Sequence, residues 1–581
     1  MCGIIVYAGN NNGIPVILEG IKNLEYRGYD SFGLTFISNG ELIVKKDAGR
    51  IDDIIRNFNL PSFNSNMGMA HTRWATHGKV SQDNAHPFID CTGNFAVVHN
   101  GIIENYMEIK EQLKDHRFLS DTDSEILVHM LEEYMNNGFS LMEATKKILH
   151  EITGSSAFAF ISLKDGKIIG AKKGSPLVFG VGKDAYYISS DVPSLINYTN
   201  RFIFLADGDI VQLSSDSYKI ENIFKRTKHK IETVDAHGIR YDLGNFDYFM
   251  EKEIIEQFKI WESYKEISDI LFKQVLDILK TADRIYIVGS GSSYYVSMYG
   301  AYLFRAAGID AQAIEPQQIP NYLKILDDKD IFFFVSQSGE TYDMLSILKY
   351  LKNNIKIGLI NVMHSTLVRS VDVVIPMKAG TEKAVAATKS VTASLLTFII
   401  LFSKLAGIDI SRDMDLLLKN RFDIYVPSIE NLVNRISEIL KKTSDIFIVA
   451  RSEDYPLALE GALKLKEVSY INANAIDMAT MKHGSLALIT SESLVISVVS
   501  PGHEKDASNN LEEIKTRGAR IIGISTASMS EFNMYIRTVN AGLFYSLPII
   551  FIFQMLAYKT ALKKGLDPDK PRNLAKSVTV K

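Results

Sequence analysis

Cys2 follows the initiator Met1 directly. Methionine aminopeptidase removes Met before a small residue, which leaves a thiol beside its own α-amino group. That amine titrates near ~7.7–8.0 and can act as general base for the thiol. A cysteine near a chain end is, on its own, more readily an inert buried side chain. Its companions favour the reactive reading. His71-Thr72-Arg73-Trp74-Ala75-Thr76-His77 sets two histidines and an arginine around one of the chain's 2 tryptophans. Arg73 can fork onto a carboxylate. Asn100-Gly101 follows the strand-like run Phe95 to His99, so an amide and a glycine N–H can together cradle an oxyanion. Asp121-Thr122-Asp123-Ser124-Glu125 opens a helical pattern, and its carboxylates either cap that helix or hold an ammonium.

A second set lies further along. Ile285 to Val288 runs into Gly289-Ser290-Gly291-Ser292-Ser293, a strand entering a Gly/Ser loop that can offer N–H groups to a phosphate. Ile331 to Val335 runs into Ser336-Gln337-Ser338-Gly339-Glu340-Thr341, with three hydroxyls at another strand end, where ligands of open α/β sheets bind. Glu460, Lys464 and Glu467 share one helical face by their spacing. They are either a solvated salt-bridge set or a buried acid–base set. His483 follows on an irregular segment and suits proton transfer near neutrality. The chain ends in a tail, Pro571 to Lys581, that carries Lys576; such tails are usually frayed.

The elements that must position these residues form several domains, because 581 residues exceed a single core. A composition of 46% hydrophobic and 23% charged residues, with a net charge of −4, is that of a globular protein. It gives no footprint for nucleic acid or an anionic membrane surface. Two cysteines exclude a disulfide framework. With no secretory pattern at the start, a cytoplasmic protein is expected. The apolar stretch from Ala541 to Tyr558, interrupted by Pro548 and Gln554, reads as a buried core helix rather than a membrane span.

Mixed strands and helices over residues 1–235 predict a layered α+β domain, followed by a linker over 236–250. A long helix is expected from about Glu251 to Thr281. Beyond it strands and helices alternate, as in parallel sheets covered by helices, and the pattern repeats. Ile285–Val288 corresponds to Ile446–Val449 and Tyr299–Ala301 to Glu460–Ala462, then Phe334–Ser336 to Val498–Ser500. The offset stays nearly constant, which predicts two tandem doubly wound subdomains, over 251–420 and 421–565, and a tail over 566–581.

The motifs of residues 1–235 resemble those of the N-terminal-nucleophile glutamine amidotransferases, whose fold is layered α/β/β/α. The resemblance implies Cys2 as nucleophile and Asn100 with Gly101 as oxyanion hole. It implies Arg73, Trp74, Thr76, His77 and Asp123 around L-glutamine. The Ser-Gln-Ser-Gly-Glu-Thr run resembles the sugar isomerase (SIS) domain, and the whole chain resembles the glucosamine-6-phosphate synthase family. That implies fructose 6-phosphate as the second substrate, held by Ser292, Ser336, Gln337, Ser338, Thr341 and Lys464. It implies ring opening by His483 across a homodimer interface, a Schiff base on Lys576, and proton transfer by Glu467. Ammonia would travel through an internal channel, with no metal, nicotinamide or pyridoxal cofactor. Ser290, Ala387, Thr480 and Ser485 depart from the family pattern at the sugar pocket. The alternatives are the same architecture acting on another phosphosugar, or a sugar-phosphate sensor without synthase activity.

Overall fold

The computed structural model describes all residues except 1, 59, 61–62, 76, 226–227, 236–241, 265–268, 420–421 and 580–581. The chain divides into two compact units, Met1–Asp242 with Ser577–Lys581, and Leu243–Lys576.

In the first unit, strand Gly3–Gly9 is buried along its whole length. It runs antiparallel between Met67–Arg73 and Ala185–Ser189 in an eight-stranded sheet. A second, six-stranded sheet contains the antiparallel pair Phe95–Ile103 and Gly154–Ser162. Successive side chains of a strand point to opposite faces, so Gly3–Gly9 feeds two cores. Ile4 and Val6 meet Val98, Ala157 and Ala159 between the sheets. Ile5 and Tyr7 point the other way, where Ile14, Ile17 and Ile21 of helix Ile14–Asn23 cover them. Helices Ile126–Asn136 and Leu141–Glu151 cover the outer face of the second sheet. The result is the expected α/β/β/α layering.

The second unit holds two five-stranded sheets, both wholly parallel. One runs in the order Ala311–Ile314, Ile285–Val288, Ile331–Ser336, Lys356–Ile360, Val373–Pro376. The other runs Asn472–Asp477, Asp445–Ala450, Leu494–Val499, Arg520–Ser525, Met534–Arg537. The two orders are the same, so the sequence repeat is a structural duplication. Helices Ser292–Ala306 and Tyr455–Ser469 follow the corresponding strands. Each carries a glycine against an aromatic ring: a Cβ on Gly300 would lie 2.7 Å from Phe398, and one on Gly461 2.5 Å from Phe553.

Those rings belong to the most apolar helices, Lys389–Ala406 and Ser546–Lys563. Both are long and apolar enough to cross a membrane, but 83% and 78% of their apolar windows are buried in the protein. Gln554 fits this core because it accepts from Gln257 Nε2 (2.5 Å) and donates to Thr388 O (3.3 Å). Where the sequence suggests one helix over 251–281, the structure describes Phe249–Ser263 and Asp269–Leu279. The N-terminus of the first is satisfied from far along the chain. Asp569 accepts the N–H groups of Phe249 (2.8 Å) and Met250 (2.7 Å).

Candidate functional site

Cys2 is half-buried at the head of the central strand of the first unit. Pairing of Gly3 with Thr72 brings it beside the end of strand Met67–Arg73, where the Trp74 N–H points at Cys2 Sγ (3.3 Å). Arg27 Nε donates to Cys2 O (3.2 Å). Burial pushes the thiol pKa up, against the pull of Arg73 and Arg27. A thiol that resists ionisation needs a base at hand, which suits the adjacent α-amine.

Asn100 and Gly101 sit on strand Phe95–Ile103 of the other sheet. His71 Nε2 donates to Asn100 Oδ1 (3.0 Å) and to His99 O (2.9 Å). Burial holds the His71 pKa down at about 3, so the imidazole is neutral and orients the amide. Asn100 Nδ2 then donates to Ser190 Oγ (2.9 Å), which also accepts the Ile4 N–H (2.8 Å). Ser190 thus ties the amide to the strand that begins at Cys2. Gly101 has φ +150, and a Cβ there would lie 2.0 Å from Ser155 O, so only glycine fits. Neither His71 nor Ser190 was singled out for this role from the sequence. His71 lies two residues before Arg73 on the same strand, within the motif, whereas Ser190 has no local signal.

Arg73 is buried, and its guanidinium donates to the carbonyls of His77, Gly78 and Lys79. Trp74 stands edge-on to Tyr29 at 5.8 Å, and His77 lies 6.0 Å from the Tyr106 ring with Nδ1 buried and unpartnered. Thr76 lies outside the described residues. Asp123 precedes helix Ile126–Asn136 and does not cap it; its carboxylate accepts the Ile103 N–H (2.8 Å) instead.

In the second unit, Lys464 ties three residues together. Its ammonium reaches Glu467 Oε2 (2.5 Å), Ser292 Oγ (3.1 Å) and Glu460 Oε1 (3.4 Å). On the helical face read from the sequence, Glu460 and Lys464 are buried and Glu467 is half-buried, and the set joins the two repeats. Burial disfavours the Lys464 ammonium, yet the two carboxylates outweigh it and hold the pKa above the usual lysine value. Burial, with Glu467 adding to it, raises Glu460 to about 7 against the pull of Lys464. One carboxyl that takes up protons near neutrality beside another carboxylate is suited to acid–base work.

Around this cluster the strand-end loops present hydroxyls. Ser290 Oγ is buried without a partner, while Ser336 Oγ accepts the Gly339 N–H (2.9 Å) and Ser338 Oγ the Glu340 N–H (3.2 Å). Gln337 and Thr341 are half-buried beside them.

Lys576 is not part of the Lys464 set. Its Nζ pairs with Glu382 Oε2 (2.7 Å), both side chains almost fully buried. Glu382 also accepts the N–H groups of Thr388 (2.8 Å) and Ser390 (3.0 Å). These donors and Lys576 overcome its burial and keep it ionised, whereas burial raises neighbouring Glu253. Sequence reasoning missed Glu382 and Glu253. A lone glutamate among the small residues Ala379 to Thr388 was the only signal. His483 is exposed on the turn Met481–His483, and no contact among the described residues links it to either cluster.

An N-terminal cysteine on a layered α/β/β/α domain, followed by duplicated parallel sheets with hydroxyl-rich strand ends, defines a glutamine amidotransferase joined to tandem SIS domains. Residues 71–197 match the glutamine amidotransferase domain family, and residues 278–404 and 439–558 match the SIS domain family. The chain is 37% identical to the isomerising glutamine–fructose-6-phosphate aminotransferase of Methanothermobacter thermautotrophicus, with 100% of both chains covered. It is 38% identical to that of Pyrococcus horikoshii, again over 100% of both. The solved C-terminal domain of the Francisella tularensis glucosamine-fructose-6-phosphate aminotransferase matches at TM-score 0.50 and 26% identity, covering 57% of this chain and 100% of that one. The chain belongs to the family of isomerising glutamine–fructose-6-phosphate aminotransferases.

Proposed function

We propose that the chain hydrolyses L-glutamine at Cys2 and uses the ammonia to convert fructose 6-phosphate into glucosamine 6-phosphate, leaving glutamate. The observation that carries this reading is the Lys464 cluster. A lysine and two carboxylates from one repeat close on Ser292, at the head of the matching helix of the other. Such a set can move protons between adjacent carbons of a sugar held by its phosphate.

The Cys2 amine takes the thiol proton, and the thiolate attacks the glutamine carboxamide. The second hydrogen of the Asn100 amide and the Gly101 N–H stabilise the resulting oxyanion. Arg73 holds the substrate carboxylate after exchanging its backbone carbonyls for it, and Asp123 holds the ammonium. Trp74, Thr76 and His77 enclose the substrate.

In the second unit Ser292, Ser336, Gln337, Ser338 and Thr341 take the phosphate, and Lys464 orients the sugar oxygens. His483 opens the ring from the neighbouring subunit of a homodimer. Lys576, delivered by Glu382, forms an imine with the ketone, which ammonia displaces, and Glu467 moves the proton between C1 and C2. We assign residues 1–235 to the glutaminase, 251–420 and 421–565 to the two isomerase subdomains, and 566–581 to the active-site tail.

The test supplies glutamine and fructose 6-phosphate and measures both products. Equal yields of glutamate and glucosamine 6-phosphate are expected. Glutamate without amino sugar, or equal use of other ketose phosphates, overturns the assignment. Trp74→Ala, beside the nitrogen-releasing thiol, is expected to release glutamate in excess of amino sugar.

A further inference from the structure

Four ligand-type side chains of the first unit belong to none of the sets above. Cys91 sits on the turn between strands Phe88–Ile89 and Phe95–Ile103. Asp90 fixes that turn by accepting the N–H groups of Phe95 (2.8 Å) and Thr92 (3.1 Å). His129 and Glu132, three residues apart, share a face of helix Ile126–Asn136, and His116 comes from the loop before it. Cys91 Sγ lies 3.7 Å from Nδ1 of His116 and 3.7 Å from Nδ1 of His129. Glu132 Oε2 lies 3.0 Å and 3.4 Å from the same two nitrogens. All four ligand atoms fall within 4.8 Å of one another.

A tetrahedral zinc with bonds of about 2.0–2.3 Å has ligand–ligand edges of roughly 3.3–3.7 Å. Three of the four edges given above fall in that range, and the His116–Glu132 edge is shorter at 3.0 Å. The outer ring nitrogens carry a second, independent signal. His116 Nε2 lies 3.5 Å from Glu133 Oε2, and His129 Nε2, buried without a hydrogen-bond partner, faces Glu125 Oε1 at 3.7 Å. Both histidines therefore turn Nδ1 inward and Nε2 to a carboxylate, as metal-bound imidazoles do. The Arg117 N–H points at Cys91 Sγ (3.4 Å), which suits a thiolate. A hydrogen-bonded network without metal explains less. One Glu132 oxygen would have to serve two imidazoles and also the Cys91 N–H (3.0 Å).

We propose that Cys91, His116, His129 and Glu132 form a four-ligand Zn2+ site. Thiolate, imidazole and carboxylate together favour zinc over the hard cations. Four protein ligands leave no open position, so the role is structural. On binding, the Cys91 thiol gives its proton to solvent and nothing is oxidised. The metal joins the 90–94 turn, the loop carrying His116 and helix Ile126–Asn136. Glu125, behind His129, accepts the N–H groups of Leu119 (2.8 Å) and Ser120 (2.7 Å), so zinc also braces the loop that bears Asp123.

Full-length protein produced with zinc is expected to hold about one zinc per chain by mass spectrometry of the metal. Co2+ added to chelator-stripped protein should give thiolate-to-cobalt charge-transfer absorption that saturates near one equivalent. Cys91→Ala should abolish that band and weaken Co2+ binding at least ~10-fold, and His129→Gln should weaken it by a similar factor. Cys2→Ala should leave the band intact, which separates the only other thiol. A band that follows Cys2, stoichiometric metal that survives Cys91→Ala, or metal below about a tenth of an equivalent with no band would each overturn the proposal. Should Cys91→Ala fail to fold, the wild-type protein decides. Zinc should slow alkylation of Cys91 by iodoacetamide at least ~10-fold, read by peptide mass, and an unchanged rate overturns the site.

Discussion

At the scale of single residues, the proposed function gives glutamine hydrolysis and sugar amination separate nucleophiles. Cys2→Ala is expected to abolish glutamine-dependent synthesis, by on the order of a thousand-fold or more, while free ammonia still yields amino sugar. A mutant that keeps glutamine-dependent synthesis removes Cys2 as nucleophile. Buried acids also leave a mark on stability. Asp454 is almost fully buried, accepts the Ser500 N–H (3.0 Å), and has its pKa raised by that burial to about 7. Between about pH 4 and pH 7 the folded protein therefore binds a proton that the unfolded chain has lost. Stability from this group is fully present below about pH 4 and is lost as pH rises to 7, by up to roughly 4 kcal/mol. Asp454→Asn carries no titrating group, so its denaturation midpoint should fall less steeply over that range. Parallel pH profiles for the two proteins would exclude Asp454 as the source.

At the scale of elements, much was legible because the signals are local or periodic. The i, i+3, i+4 spacing of Glu460, Lys464 and Glu467 announced a shared helical face, and the repeat offset announced two similar sheets. What stayed hidden is made by distant segments. Glu382 meets Lys576 across 194 residues of sequence, and Cys91 meets its histidines without any metal-ligand motif. The start of the helix expected over 251–281 was hidden for a related reason, since its N-terminus at Phe249 is satisfied by Asp569, 320 residues away, rather than by a local cap. The duplication gives an element-scale test. Gly461 lets helix Tyr455–Ser469 lie against Phe553, where an added Cβ would approach the ring to 2.5 Å. Gly461→Ala should destabilise the second unit by about 1–3 kcal/mol, despite alanine's better helix propensity. Adding Phe553→Leu should recover part of the loss in thermal denaturation. If Gly461→Ala alone raises the melting temperature, the packing account is wrong.

At the scale of the whole molecule, the proposed chemistry draws on residues far apart in sequence, the thiol of Cys2 and the amine of Lys576. A terminal segment is ordinarily dispensable, but this one is tied down at successive points. Asp569 O accepts the Val385 N–H (3.0 Å), and the Arg572 N–H donates to Tyr470 Oη (2.6 Å), with the guanidinium over that ring. Lys576 then ends buried on Glu382. Deleting residues 571–581 should therefore abolish amino-sugar formation from glutamine and from ammonia alike, where Cys2→Ala spares the second. Lys576→Arg is the finer probe. It keeps the positive charge that Glu382 requires, so the fold should survive, as unchanged circular dichroism and melting would report. An arginine cannot form the imine, so synthesis should fall on the order of a thousand-fold. Borohydride in the presence of fructose 6-phosphate should label Lys576 in the wild type and nothing in the variant. Label on Lys464 instead would move the covalent step to the buried lysine between Glu460 and Glu467. Unaltered synthesis by folded Lys576→Arg would leave the tail a purely structural strap.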